Sequence, residues 1–166
     1  MQNKKVNIKE LLNSDGKFIG TTVGVSMRPM IVSGRDVVVI EKKTKRLKPL
    51  DVALYMRNDK DYVLHRVLKV TDDGYIIRGD NCYSDEIVKE DEVIGVLTQY
   101  FKKEKPIMMD DKKYLRYVKR RLFWYKPRKF FVKIYLKLRK VAVSTFRPKL
   151  PNVLKLLKPN YKQRIF

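Results

Sequence analysis

Residues 62–78 read Tyr-Val-Leu-His-Arg-Val-Leu-Lys-Val-Thr-Asp-Asp-Gly-Tyr-Ile-Ile-Arg and are the segment most informative about the fold class. Residues 62–70 alternate well enough between apolar and polar side chains for a β-strand. A second apolar run, residues 74–78, follows a turn signal at Asp72-Asp73-Gly74. Two such runs around a short turn predict a β-hairpin.

The rest of the first hundred residues has the same texture. Short runs rich in β-branched and apolar residues are separated by turn residues, which favours a mainly β fold. Further strands are predicted at residues 36–40, 52–56 and 93–100, and residues 18–25 are predicted as a strand or a loop. A short helix is predicted at residues 6–12, before the first strand. We therefore expect a β-rich domain over residues 1–105.

The charge of the chain is concentrated near its end. Residues 1–100 contain 17 Lys/Arg and 15 Asp/Glu, whereas residues 101–166 contain 22 Lys/Arg and 3 Asp/Glu. No acidic residue follows Asp111, and the net charge of the whole chain is +21. Unbalanced like charges repel one another unless an anionic partner is near. This pattern predicts a nearly neutral domain followed by a basic tail over residues 106–166.

The tail has a helical period of apolar residues. The apolar positions recur every three or four residues in two sets: Tyr114, Val118, Leu122 and Tyr125, then Phe131, Ile134, Leu138 and Val141. Pro127 is expected to separate two amphipathic helices, and lysines occupy the opposite side of the second. Basic residues mixed with aromatic ones favour binding of residues 112–166 to an anionic membrane surface. Nucleic-acid binding and docking of the apolar faces on the β domain are the less favoured alternatives.

Several classes of site are excluded by composition. The only cysteine is Cys82 and the only histidine is His65, so an internal disulfide and a zinc site built from Cys or His clusters are excluded. We expect no metal and no cofactor. No apolar run has the length of a signal peptide or of a membrane-spanning helix. The expected location is cytoplasmic, with peripheral attachment to the inner face of the membrane through the tail.

One serine, the histidine and a later acid could form a nucleophilic site. A serine hydroxyl needs a base to become a nucleophile, and the base needs a group that orients it. Ser26 lies in a turn-rich segment, His65 on a predicted strand, and acidic residues follow in segment 78–86. The same residues have plainer interpretations: Ser26 as a turn residue, His65 as a half-buried strand residue and Asp80 as a turn former.

Three short segments resemble sequence boxes of the type I signal peptidases and of the LexA-type repressors in the same superfamily. Ser26-Met27-Arg28-Pro29 is similar to the nucleophile box, and His65-Arg66-Val67 resembles the His-Arg-Val box of the endoplasmic-reticulum and spore-former type. Gly79-Asp80-Asn81 resembles the last box. The similarity covers about residues 20–100, and the chain looks most like small bacterial signal-peptidase-like proteins that lack a leading membrane helix.

The resemblance implies a signal-peptidase/LexA-like β-rich catalytic body with a C-terminal basic α-helical appendage. Ser26 would be the nucleophile and His65 the general base, as in the histidine type of this family. Asp85 or Asp80 would orient the imidazole. Glu86 lies six residues after Asp80, where the eukaryotic type has its second acid, so the sequence leaves open which carboxylate faces His65.

The segment around Ser26 would build the rest of the site. By the resemblance, the Ser26 N–H would line the oxyanion hole, and Met27 and Pro29 would shape the loop and the cleft. Many signal peptidases have a side-chain hydroxyl two residues before the serine, but here that residue is Gly24. The second oxyanion donor must then lie elsewhere, or the hole is weaker.

These features favour a serine endopeptidase that cleaves a peptide or protein substrate. The alternative is a catalytically inactive, peptidase-like binding module whose basic tail binds an anionic membrane surface or nucleic acid. The missing leading helix motivates this alternative, because typical signal peptidases use that helix to place their site at the outer membrane face. The oligomeric state cannot be derived from the sequence.

Overall fold

The structure is a computed structural model that describes residues 7–58 and 60–145, with side-chain surroundings up to residue 139. The described residues form two compact units, 7–118 and 119–145. The elements of the first unit are α1 (Ile8–Ser14), β1 (Lys17–Thr21), β2 (Val37–Lys42), β3 (Val52–Arg57), β4 (Asp61–Thr71), β5 (Gly74–Arg78), β6 (Glu86–Lys89), a 3₁₀ helix (Glu90–Glu92), β7 (Val93–Lys102) and β8 (Lys105–Met108). Helices α2 (Lys112–Phe123) and α3 (Tyr125–Thr145) follow.

The first unit is built on one curled antiparallel sheet. The strand order is β1-β2-β7-β3-β4-β5-β6, and β8 pairs with the end of β7. The apolar core lies on β3, β4 and β5 and includes Ala53, Val63, Val67, Tyr75 and Ile77. The prediction of a mainly β body followed by basic helices is confirmed.

The central hairpin is also confirmed. Strands β4 and β5 pair with Thr71 opposite Gly74, so Asp72 and Asp73 form the two-residue turn. Helix α1 begins two residues later than predicted, because the Asn7 side chain accepts a hydrogen bond from the Glu10 N–H at 3.4 Å and caps the helix. Residues 18–25, predicted as a strand or a loop, contain both, since β1 ends at Thr21 and a loop follows.

Two short strands, β6 and β8, are absent from the sequence-based prediction. The β7–β8 hairpin turns at Lys103 and Glu104, whose φ angles are 49° and 69°. Positive φ at both turn positions gives a twist that suits a two-residue hairpin, but Lys and Glu carry no turn signal. Strand β6 has only four residues and lies at the edge of the sheet, next to β5.

The boundary between the two compact units does not coincide with the position where the charge pattern changes. Tyr114 and Val118 of α2 are buried and belong to the first compact unit, which extends to Val118 rather than to residue 105. The prediction that Pro127 separates two helices is wrong, because α2 ends at Phe123, before the proline, and Pro127 lies in the first turn of α3. Proline is tolerated there because the N–H groups in the first turn of a helix have no carbonyl partner within the helix. The rest of the predicted tail, residues 146–166, lies outside the described residues.

Strand β4 is buried on both faces at its centre. Consecutive strand residues point to opposite sides, so His65 and Arg66 enter different environments, and each is only 1% exposed. The Arg66 guanidinium donates two hydrogen bonds to Asp80, at 2.8 and 2.9 Å. It also donates to the Leu50 carbonyl at 2.9 Å and to the Tyr114 hydroxyl at 2.7 Å. One cation therefore ties β4, the loop after β5 and the start of α2 together.

No helix between residues 7 and 145 is both long enough and apolar enough to pass through a bilayer.

We predict that Asp80→Asn strongly destabilises the protein. The change leaves the Arg66 cation buried without its counter-charge, which costs about 3–5 kcal/mol in comparable buried pairs. The matched control is Asp85→Asn, because Asp85 pairs with Arg78 at 2.8 Å but its side chain is 51% exposed. Exposed pairs contribute about 0–1 kcal/mol. Urea denaturation followed by circular dichroism measures both, and equal losses would contradict the assigned role of the buried pair.

Candidate active site

The loop between β1 and β2, residues 22–36, presents Ser26. Ser26 is half-buried at the start of a tight turn, where the Arg28 N–H donates to the Val25 carbonyl at 3.2 Å. Asp36 closes the far end of the loop: it is fully buried, accepts from the Val32 N–H at 2.8 Å and forms an ion pair with Arg35. Hydrogen bonds and an ion pair within the loop therefore hold its conformation.

A second loop, after β5, holds the serine loop in place. The Asn81 N–H donates to the Ser26 carbonyl at 2.7 Å, and the Asn81 side-chain amide donates to the Val25 carbonyl at 3.3 Å. Cys82 closes this second loop through its N–H to the Gly79 carbonyl at 2.9 Å. Because Asp80 lies between these residues, its bond to Arg66 anchors the loop that positions Ser26.

His65 faces a carboxylate with one nitrogen. Its Nδ1 lies 3.5 Å from Oε1 of Glu86 and 3.4 Å from the Tyr55 hydroxyl. The other oxygen of Glu86 accepts a hydrogen bond from Tyr55 at 2.7 Å and another from Arg57. Both partners lie on β3, two residues apart and so on one face of the strand. Glu86 is therefore fixed by two donors while its free oxygen points to the imidazole.

The surroundings select one tautomer of His65. Nδ1 faces only oxygen atoms, and the hydroxyl proton of Tyr55 is directed to Glu86, so Nδ1 carries the ring proton. Nε2 then bears the lone pair. It is buried and has no hydrogen-bond partner in the described part of the chain. A buried polar atom without a partner is rare, and such atoms occur at functional sites.

The three segments converge at Gly79. A Cβ atom on this glycine would lie 2.9 Å from Nε2 of His65 and 2.8 Å from the Ser26 carbonyl oxygen, which limits the separation of those two atoms to 5.7 Å. The Sγ atom of Cys82 would lie 2.8 Å from the same point. Only glycine fits here, because a side chain would meet the serine loop and the imidazole together. The backbone of Ser26 therefore lies near the unpartnered nitrogen of His65.

The carboxylate at the imidazole is Glu86, not Asp85 or Asp80. The two aspartates were expected to orient His65, but Asp85 pairs with Arg78 and Asp80 pairs with Arg66. The physical reason is strand β6: it begins at Glu86, which lies opposite Ile77, while Ile77 lies opposite Val67 on β4. Pairing across β5 brings Glu86 to the face of the sheet that carries His65.

The other predicted site residues lie in the serine loop. Met27 is buried, Pro29 is exposed and Gly24 is half-buried. Gly24 has a φ of 98°, a conformation that residues with a side chain rarely adopt, so a hydroxyl-bearing residue would be strained there. Sequence reasoning missed Tyr55, Arg57 and Asn81. The first two carry the weak signal of polar atoms at alternate positions near the end of a buried strand.

Burial controls the protonation of the site. It lowers the pKa of His65 to about 4, although the charge of Glu86 acts in the opposite direction. Burial also tends to raise the pKa of Glu86, but hydrogen bonds from Tyr55 and Arg57 outweigh it and lower the pKa below its usual value. Burial raises the pKa of Cys82, so its thiol stays protonated at neutral pH. The site at neutral pH combines a neutral imidazole, a carboxylate, a serine hydroxyl and an inert thiol.

Comparison of the chain with protein-family models, with curated proteins and with solved structures found no match.

We predict that the ring of His65 stays neutral through the range in which an ordinary histidine titrates. Because this is the only histidine, its Cε1–H signal can be followed alone by NMR as the pH is lowered. No titration is expected near pH 6.5, and protonation begins only as the pH approaches about 4. A full transition centred near pH 6.5 would contradict the buried environment of the imidazole.

A companion variant, Glu86→Gln, tests the contact at Nδ1. The Glu86 charge raises the pKa of His65, so its removal should move protonation to still lower pH. Asp85→Asn is the control, since Asp85 is engaged by Arg78. A larger shift for Asp85→Asn than for Glu86→Gln would contradict the assignment of Glu86.

Proposed function

We propose that this protein is a serine peptidase of the signal peptidase I type, with a signal-peptidase/LexA-like fold. Ser26 is the nucleophile, His65 the general base and Glu86 the group that orients His65. The observation that carries the proposal is the unpartnered, buried Nε2 of His65, which lies beside the serine loop while Nδ1 faces Glu86. An orienting acid, a base and a hydroxyl in series are the parts that nucleophilic catalysis requires.

The chemistry follows from the tautomer. The Ser26 hydroxyl attacks the carbonyl carbon of a peptide bond, and its proton moves to Nε2 of His65. Glu86 stabilises the imidazolium that forms. When the C–N bond breaks, the proton passes from Nε2 to the leaving amine, and an ester to Ser26 remains. Water then hydrolyses this ester, with His65 again taking and returning a proton.

A base with a lowered pKa has consequences for the pH range. An imidazole with a pKa of about 4 is in its basic form throughout the neutral range, so the base is available well below pH 6.5. The same low pKa makes the nitrogen a weaker proton acceptor. Glu86 offsets this weakness, because its negative charge at Nδ1 stabilises the imidazolium.

The inactive binding module is the second candidate. The observation that favours it is the absence of a side-chain oxyanion donor at Gly24, whose positive φ favours glycine. Loss of one such donor lowers the rate by about 10²–10³-fold in a known peptidase. An inactive protein with this site would still bind extended peptides, but it would not form an ester at Ser26.

We predict that the full-length protein reacts with a fluorophosphonate probe and that Ser26→Ala abolishes the labelling. The expected loss is at least about 100-fold, because the probe bonds to the activated serine oxygen. Two controls should label normally: Ser84→Ala, an exposed serine in the neighbouring loop, and Cys82→Ala, which removes the nearby thiol.

Two outcomes would contradict the peptidase proposal. Unchanged labelling of Ser26→Ala would show that another residue reacts. A natural protein that remains unlabelled from mildly acidic to mildly basic pH would favour the inactive module instead.

A further inference from the structure

Helix α3 exposes an unusual amount of apolar surface. Phe131 is 67% exposed, Leu138 is 64% exposed, and Trp124, just before the helix, is 57% exposed. The spacing of Trp124, Phe131 and Leu138 is seven residues each time, which places them on one face. The backbone keeps its helical path at Trp124, whose N–H donates to the Arg120 carbonyl and whose carbonyl accepts from the Arg128 N–H, each at 3.1 Å. Ile134 lies between them on the same side.

Lysines are concentrated on the opposite side of the same helix, where Leu136 is also exposed. Lys133 and Lys137 follow Phe131 and Tyr135 by two positions, a rotation of about 200° around a helix. Lys126 and Lys129 continue the basic face toward the start of the helix. From residue 112 to the end of the chain there is no acidic residue to neutralise these lysines.

We propose that α3 lies in the surface of an anionic membrane, with the face formed by Trp124, Phe131, Ile134 and Leu138 in the acyl region. Charge complementarity identifies this occupant, because a helix with separate apolar and basic faces fits the boundary between hydrocarbon and anionic headgroups. The helix lies along the surface rather than across the bilayer, in accordance with its lack of a long apolar stretch. This inference does not depend on the peptidase proposal.

Two other occupants fit less well. Nucleic acid would contact phosphates through basic residues and bases through aromatic rings, and Lys133 and Lys137 lie on the side opposite Trp124 and Phe131. A second copy of α3 would bring together two helices of like net charge, with no acidic residue on either to offset the repulsion.

The test uses the full-length protein and vesicles of phosphatidylcholine, with or without one third phosphatidylglycerol. Trp124 is the only tryptophan and lies on the apolar face, so its fluorescence reports insertion directly. We expect cosedimentation with the anionic vesicles, a shift of the emission to shorter wavelength and quenching by brominated acyl chains. Binding should weaken as salt is added, because part of the attraction is electrostatic.

Matched variants separate the two faces of the helix. Phe131→Gln with Leu138→Gln should lower the partition coefficient by at least about tenfold, because two apolar side chains leave the acyl region. Lys133→Gln with Lys137→Gln should lower it by about fivefold for each lysine on anionic vesicles only. Lys42→Gln with Lys105→Gln removes the same charge from exposed strand positions and should change binding far less.

Three results would overturn the inference. The first is no vesicle binding by the natural chain. The second is binding without a change in Trp124 emission or any quenching by brominated lipid, which needs no variant and therefore no assumption about variant folding. The third is tight binding to a DNA duplex that the lysine variant loses and the apolar variant keeps.

Discussion

The buried pair of Arg66 and Asp80 is the interaction on which the rest of the first unit depends. Both side chains are almost completely removed from solvent, so each ion requires the other. The burial penalty that acts on the Arg66 guanidinium is outweighed by the charge and hydrogen bonds of Asp80, and the pKa of Arg66 is raised. Because Asp80 belongs to the loop that holds Ser26, an ion pair outside the proposed reaction helps to fix the position of Ser26.

Burial has opposite consequences for Arg66 and His65, which are neighbours on strand β4. Arg66 is buried and donates hydrogen bonds to Asp80, Leu50 and Tyr114, so its role is structural. His65 is buried with one nitrogen unpartnered, and burial keeps it neutral. The strand period places them on opposite faces, so a buried cation and a neutral imidazole can be adjacent in sequence without competing for the same carboxylate. Asp80 pairs with Arg66, and Glu86 lies beside His65.

The two compact units differ in how their apolar residues are used. In the first unit the apolar residues of β3, β4 and β5 are buried in a common core. In the second, large apolar side chains of α3, among them Phe131 and Leu138, remain exposed. Exposure of Trp124, Phe131 and Leu138 to water has a hydrophobic cost, which the proposed burial in the acyl region of a membrane would remove. The absence of acidic residues after Asp111 supports the same proposal, because the positive charge there favours an anionic surface.

The mainly β class, the β4–β5 hairpin and the separation of charge could be predicted from the sequence, since they follow from local periodicity, turn chemistry and composition. Only the tertiary structure decided which acid faces His65. Asp80, Asp85 and Glu86 are equivalent in composition, and their roles depend on the pairing of a four-residue strand that has no distinct local signal. It also decided that Tyr114 and Val118 belong with the β unit, because an amphipathic period indicates that a face will be buried but not which surface will cover it.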